Sequence, residues 1–143
     1  MKEMIYGKTM QRAILLANDE YKGYEYVVLS LNTHPCAYIV LDEGDKLYGM
    51  DYDEIHETYE LECHCGLTYA RDYLNFLEFS NKYRCDVRAG IHQKWVVGWD
   101  YAHYGDYTGF DGGIVGGKKW TTTEMVDDCK EVIEQIIKIN GGR

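Results

Sequence analysis

The chain has 143 residues, 45% of them hydrophobic, and a formal net charge of −9, which predicts one domain with a core of ordinary size and an acidic surface. Because an acidic surface repels phosphate groups, the charge disfavours binding to nucleic-acid polymers and to anionic membranes. There is no apolar signal segment and no run long enough to span a membrane, and the number of cysteines, 5, is odd, so we expect a cytoplasmic protein with reduced thiols.

The first half of the chain predicts one helix and one hairpin. Met10–Asn18 has apolar residues three and four apart, and Thr9 stands where a cap is needed, so a short helix is expected there. Tyr24–Leu31 and Cys36–Leu41 are rich in β-branched and aromatic residues, and the turn residues between them predict a hairpin. The stretch Asp42–Asp53, rich in Asp, Gly and Tyr, is expected to be irregular.

The middle of the chain predicts further strands. Tyr59–Cys65 alternates between apolar and polar residues, which indicates a half-buried strand that Gly66 ends. Asp72–Lys82 predicts a helix, with a strand as the alternative because of its aromatic residues. Trp95–Trp99 is a nearly continuous apolar run, which is typical of a central strand.

The C-terminal part begins with a glycine-rich stretch, residues 109–119, that we expect to be a mobile loop. Thr121 and Glu124 have the spacing of a capping box that opens an amphipathic helix. The apolar stripe of this helix consists of Val126, Cys129, Ile133, Ile136 and Ile137. The elements together predict an α+β fold in a single domain over residues 1–143, mainly an antiparallel sheet packed by the C-terminal helix.

Polar chemistry is concentrated in two segments, His64–Tyr69 and Trp99–Asp106, each at the end of a predicted strand. In the first, His64 would donate or accept a proton near neutral pH. The turn would bring the hydroxyl of Thr68 near this imidazole, where it would hold a phosphoryl or carbonyl oxygen. A structural histidine bonded to a turn carbonyl is the alternative.

The second segment carries Asp100, His103 and Asp106 at three-residue intervals, which a helical turn would align on one side. Either carboxylate would then orient the imidazole, as carboxylates do for catalytic histidines. The alternative is that Asp100 caps a turn while His103 is solvated.

Together the two segments predict one site for metal-free acid–base chemistry on a phosphodiester. Its candidate catalytic residues are His64, His103, Thr68, Asp100 and Asp106. A divalent cation on the His/Asp set is the rival interpretation. A structural zinc site is disfavoured, because Cys63 and Cys65 would point away from His64 on a strand and no CxxC or HExxH pattern occurs. We therefore expect neither a metal nor another cofactor.

Aromatic and basic side chains near these segments are candidates for binding a small nucleotide ligand. The rings that would stack on a base are Tyr69, Trp99, Tyr101 and Tyr104. Lys118 in the glycine-rich loop would reach a phosphate, with a plain flexible connection as the alternative. A pocket between subunits would make the protein a homo-oligomer, since Tyr-rich surfaces are typical of interfaces.

Three motifs, in this order, resemble those of a widespread family of small bacteriophage and prophage proteins. They are the segments Leu47–Asp53, His64–Tyr69 and Gly98–Asp106. The family patterns are Leu-Tyr-Gly-x-Asp-Tyr-Asp, His-Gly-Gly-Leu-Thr-Tyr and Gly-Phe-Asp-x-x-His-x-Gly-Asp, and the resemblance extends from Tyr24 to Ile137. Cys65 replaces a glycine of the pattern, so the backbone is expected to be less permissive there, and Trp99 replaces a phenylalanine.

The resemblance implies a phage accessory protein in the cytoplasm of a bacterial host cell, similar in context to counter-defence factors against CBASS-type and Thoeris-type immunity. Three functions stay open on this basis. The first is a hydrolase, a metal-independent phosphodiesterase that cleaves a cyclic nucleotide with His64 and His103. The second is a non-catalytic sponge that sequesters a cyclic nucleotide or an ADP-ribose-type signal. The third is a direct protein–protein inhibitor of a host defence protein.

Overall fold

The computed structural model describes residues 2–6, 11–31, 34–72, 94–102 and 119–141, and the side chains within 15–30, 34–72, 94–102 and 119–141. Within these ranges the chain forms a sheet and two helices. The strands are β1 (Lys2–Tyr6), β2 (Gln11–Tyr21), β3 (Tyr24–Leu31), β4 (Pro35–Asp42), β5 (Tyr69–Arg71) and β6 (Lys94–Asp100), and the helices are α1 (Tyr52–Tyr59) and α2 (Thr122–Ile139). The strand order is β1-β2-β3-β4-β6-β5 with every neighbouring pair antiparallel, so the predicted α+β fold is confirmed.

The predicted hairpin and the predicted central strand are both present in the sheet. β3 and β4 are adjacent and antiparallel, with Val27 opposite Tyr38. β6 lies between β4 and β5. At Gly98 of β6, a Cβ atom would lie 2.5 Å from Cδ1 of Tyr38 and 2.7 Å from the carbonyl oxygen of Ala37. Only a glycine allows the two strands to approach so closely while the Tyr38 ring lies across the gap.

α2 packs its apolar stripe on one face of the sheet, as predicted. The buried residues of the helix are Met125, Cys129, Val132, Ile133, Ile136 and Ile137. The predicted capping box is formed: the Glu124 N–H donates to the Thr121 hydroxyl at 3.1 Å, and the Thr121 N–H donates to the Glu124 carboxylate at 3.0 Å. Burying one such aliphatic side chain stabilises a fold by about 1.5–3 kcal/mol, so the stripe fixes the helix on the sheet.

Both faces of the sheet carry buried apolar residues. Val97 and Trp99 of β6 belong to the cluster that includes α2. Val96, which directly precedes Val97, points to the opposite face and belongs to a second cluster with Leu29 and Tyr38. Because successive side chains of a strand point to opposite faces, burial of both sets explains why β6 is apolar throughout instead of alternating.

The helix predicted over Met10–Asn18 is wrong, because Gln11–Tyr21 forms strand β2. This strand is paired with β1 on one side and with β3 on the other, so its backbone groups are satisfied by neighbours rather than by a helix. The turn into β3 is made by Lys22 and Gly23 with φ of 49° and 88°. Two positive φ values in a two-residue loop match the twist of a hairpin, and this pairing outweighs the local helical pattern.

The strand predicted over Tyr59–Cys65 is also wrong, since Tyr59 ends helix α1. Glu60 follows with a left-handed φ of 53°, and its N–H donates to the His56 carbonyl. The region expected to be irregular therefore ends earlier than predicted, because a capping box between Asp51 and Glu54 opens the helix. The alternating residues after the helix form a loop instead of a strand, and Leu61 of this loop is buried in the core.

Two further predictions fall almost wholly outside the described residues. They are the helix over Asp72–Lys82 and the glycine-rich loop over residues 109–119. Both therefore stay predictions.

We expect Thr121→Ala to lower the free energy of unfolding by about 1 kcal/mol, because it leaves the Glu124 N–H without its acceptor at the start of α2. Chemical denaturation measures the loss. Thr122→Ala is the matched control, since Thr122 is the first helical residue and has no capping role. Equal losses in the two variants would contradict the assignment of the cap.

Candidate functional site

The segment Leu61–Thr68, called here the His64 loop, is held at three points by hydrogen bonds. The Glu62 N–H donates to Oε1 of Gln135 and the Gln135 amide donates to the Glu62 carbonyl, both at 2.7 Å. The Leu67 N–H donates to Nε2 of His56 at 2.9 Å, and the Thr68 N–H donates to the Gly98 carbonyl at 2.9 Å. The loop is thus tied to α2, α1 and β6.

A tight turn within the loop presents His64. The Gly66 N–H donates to the Cys63 carbonyl at 3.0 Å, and Cys65 and Gly66 both have positive φ, 55° and 88°. A left-handed backbone favours glycine, so Cys65 has a conformation that residues with a Cβ atom rarely adopt. The His64 ring stacks on Tyr101, with centroids 4.7 Å apart and planes at 18°, and meets the ring of Trp120 edge-on at 4.9 Å.

Tyr101 connects the imidazole to a buried polar chain. Its hydroxyl donates to Oδ2 of Asp128 at 2.7 Å and accepts from Nε1 of Trp99 at 3.1 Å. Burial, followed by the bond to Asp128, raises the pKa of Tyr101 far above its usual range. The phenol therefore stays protonated and acts as a donor that fixes the Asp128 carboxylate.

An open groove of about 280 Å³ lies between the His64 loop and α2. It is lined by Glu62, Cys63, His64, Asp128, Glu131 and Val132. Asp128 and Glu131 are three residues apart on α2, so their carboxylates lie on the same side of the helix. Burial raises the pKa of the Cys63 thiol to about 12, which keeps it uncharged. The charge of these lining residues is therefore mainly carboxylate.

Thr68 and Asp100, two of the predicted catalytic residues, are brought together. The Thr68 hydroxyl donates to Oδ2 of Asp100 at 3.1 Å, and the Ala102 N–H donates to Oδ1 of the same carboxylate at 3.2 Å. The hydroxyl is thus bonded to a carboxylate at the end of β6. The second oxygen of Asp100 closes the turn that follows the strand, as in the capping alternative. Neither residue is among the described residues that line the groove at His64.

The aromatic residues predicted to stack on a base are placed differently from that expectation. Trp99 is 1% exposed and Tyr101 0% exposed, so neither ring offers a free face to a base. Tyr69 is half-buried and meets Tyr38 edge-on, with centroids 5.3 Å apart, beside the second apolar cluster. The other predicted site residues, His103, Tyr104, Asp106 and Lys118, lie outside the described residues.

Four residues of this region escaped the sequence argument: His56, Trp120, Asp128 and Gln135. His56 falls in a helix that the alternation around Tyr59–Cys65 obscured. Asp128 and Gln135 lie on the polar side of α2, where a solvated role is the ordinary expectation. Of the four, only Trp120 could have been found from the sequence. It directly precedes the predicted cap, and a hydrophobic residue in that position often packs against the start of the helix.

In the described parts of the chain, no group of three or more His, Cys, Asp and Glu side chains is arranged to hold a metal ion. Within the same ranges, no helix has the length and apolarity needed to cross a membrane. Comparisons with protein-family models, with curated proteins and with solved structures found no match. The resemblance to phage proteins therefore stays a prediction from the motifs.

We expect iodoacetamide to alkylate Cys65 at least about tenfold faster than Cys63 in the native protein, because Cys65 is exposed whereas burial keeps the thiol of Cys63 protonated. Mass spectrometry on the Cys63→Ser and Cys65→Ser variants measures each rate separately. In denaturant the two rates should become similar. Faster labelling of Cys63 in the folded protein would contradict the arrangement of the turn.

Cys65→Gly is expected to raise the free energy of unfolding by about 0.5 kcal/mol, since relief of a left-handed non-glycine residue outweighs the added entropy of the unfolded chain. Denaturation with urea measures the change. Cys65→Ala removes the thiol but keeps the Cβ atom, so it should give no gain. An equal gain from alanine would assign the effect to the sulfur instead of the backbone.

Proposed function

We propose that the protein is a binding protein that takes up a basic side chain of a partner protein in the groove beside His64. The proposal depends on the negative charge of this groove, because the carboxylate residues Glu62, Asp128 and Glu131 line it. It corresponds to the third function considered from the sequence, a direct protein–protein inhibitor. The resemblance to phage proteins makes a host defence protein the expected class of partner.

An arginine is the side chain that fits this wall best. Its guanidinium presents several N–H groups in one plane, and neighbouring carboxylates such as Asp128 and Glu131 accept such a fork. The Tyr101 hydroxyl already fixes the Asp128 carboxylate at 2.7 Å, so little side-chain freedom is lost when a partner binds there. The net charge of −9 would in addition attract a basic partner over longer distances.

A nucleotide ligand has less support at the same place. The carboxylates that attract a guanidinium repel phosphate, and the rings of Trp99 and Tyr101 are buried. Cleavage by a histidine pair depends on His103 as well as His64 and stays a prediction. Incubation with a panel of cyclic nucleotides, followed by chromatography, tests it directly. Turnover that His64→Ala and His103→Ala each abolish would establish the hydrolase in place of the binding protein.

The proposal is tested with a short peptide that contains two arginines, titrated into the protein and followed by NMR. We expect shifts at the amides of Glu62, His64 and Glu131, and no such shifts with an acidic peptide of equal length. The Glu62→Gln/Glu131→Gln variant should bind the peptide about threefold to tenfold more weakly, because each exposed ion pair contributes about 0.2–1 kcal/mol.

The matched control changes the same number of charges outside the groove. Glu20→Gln/Glu57→Gln alters two exposed carboxylates, one on β2 and one on α1, which the groove does not include. An equal loss of affinity in this control would reduce the effect to net charge. Shifts at the groove caused by a cyclic nucleotide but not by the peptide would overturn the proposal.

A further inference from the structure

His56 has a hydrogen bond that only one charge state of its ring can make. The Leu67 N–H donates to Nε2 of His56 at 2.9 Å. An imidazole nitrogen accepts a hydrogen bond only when it carries no proton, so the ring in this structure is neutral with its proton on Nδ1. Imidazoles take up a proton between about pH 5 and pH 8, and the protonated ring has donors at both nitrogens.

The backbone of the His64 loop lies directly against this ring. A Cβ atom on Gly66 would lie 3.5 Å from Nε2 and 3.8 Å from Cε1 of His56. With a proton on Nε2, the N–H of the ring and the N–H of Leu67 would face each other at hydrogen-bonding distance. Two donors cannot satisfy each other there, so one of the groups has to move.

We propose that His56 is a pH-sensitive latch on the His64 loop. At neutral pH its ring holds Leu67 and thereby keeps the loop wall of the groove in place. When the ring takes up a proton, the bond to Leu67 breaks and the end of the loop next to α1 is released. The effect on binding rests on the proposed function, whereas the release of the loop does not.

The neighbours of His56 on the loop and on α1 differ in charge. The loop residues in contact with the ring, Gly66 and Leu67, carry no titratable side chain. On α1 itself, Asp53 is one turn before His56, and Glu60 is four residues after it at the end of the helix. Neither carboxylate takes part in the hydrogen bond between His56 and Leu67.

Acid release is expected to be local. The other anchors of the loop join the Gln135 amide to the backbone of Glu62 and the Thr68 N–H to the Gly98 carbonyl. None of these groups titrates in the range of an imidazole. The loop therefore keeps its attachment to α2 and β6 while it loses its attachment to α1.

The test is an NMR measurement on the full chain without any ligand. At about pH 7.5 the ring nitrogens of His56 should show the neutral form with the proton on Nδ1. Between about pH 7.5 and pH 5, hydrogen exchange at the Leu67 amide, corrected for the intrinsic rate, should become about threefold to tenfold faster. The change should follow the titration of the His56 ring.

His56→Gln is the matched variant, because its side-chain oxygen can accept from Leu67 at every pH. Exchange at Leu67 should then lose its pH dependence, while His64→Gln should keep it. The proposal is overturned if Leu67 exchange is constant while His56 titrates. It is also overturned if the pH response disappears in His64→Gln and persists in His56→Gln. Should His56→Gln fail to fold, the wild-type tautomer and exchange data decide alone.

The consequence for binding is measured separately with the two-arginine peptide. Its affinity should fall between about pH 7.5 and pH 5 in the wild type by more than in His56→Gln, in proportion to the loosening of Leu67. If the peptide does not bind at any pH, the proposed function fails while the latch still stands on the exchange data. If the peptide binds with equal pH dependence in both proteins, regulation by His56 is excluded.

Discussion

The burial of β6 on both faces and along both edges is the constraint on which the rest of the structure depends. β6 is paired with β4 on one side and β5 on the other, and its side chains enter two apolar clusters. A strand in this position has no room for a charged side chain between its two end residues, Lys94 and Asp100. Polar contacts begin at Asp100, the last residue of β6. Its carboxylate accepts hydrogen bonds from the Thr68 hydroxyl and from the Ala102 N–H.

The same constraint determines how the His64 loop is built. Because the loop runs from α1 to strand β5, its backbone must find partners outside any regular ladder. It finds them on three different elements, through Gln135, His56 and the Gly98 carbonyl. A loop held in this way is positioned by side chains as well as by the sheet, which makes its geometry sensitive to the charge of a single ring. The shape of the groove depends on the same loop geometry, because the loop forms one of its walls.

Much of the fold could be predicted because its signals are local. The hairpin of β3 and β4, the strand β6 and the capped helix α2 each combine a clear composition with a clear period, and all of them are confirmed. β2 could not be predicted in this way, because its apolar spacing suits a helix and its pairing with β1 and β3 is a long-range property. Helix α1 was not predicted, because the alternation of apolar and polar residues over Tyr59–Cys65 was a stronger sequence signal than the capping box at Asp51.

The candidate site was predictable only in part, for a related reason. Sequence spacing indicates which polar residues stand at element ends. His64 has an aromatic partner and Thr68 is bonded to Asp100, whereas their predicted catalytic role stays a prediction. It does not indicate whether an aromatic ring lies in a pocket or in the core, so Trp99 and Tyr101 were expected to be available to a ligand although both are buried. It also cannot pair Tyr101 with Asp128, which lies 27 residues further along the chain.

The chemistry of the groove follows from what burial does to its neutral groups. Burial keeps the thiol of Cys63 and the phenol of Tyr101 protonated, so neither is a nucleophile or a base at neutral pH. The carboxylates of Glu62 and Glu131 stand at the exposed rim, where water stabilises their charge. A groove with neutral donors behind and carboxylates in front attracts a cation. That distribution of charge supports the proposed uptake of a basic side chain, and the bond from Leu67 to His56 is the basis for the proposed control of the loop wall.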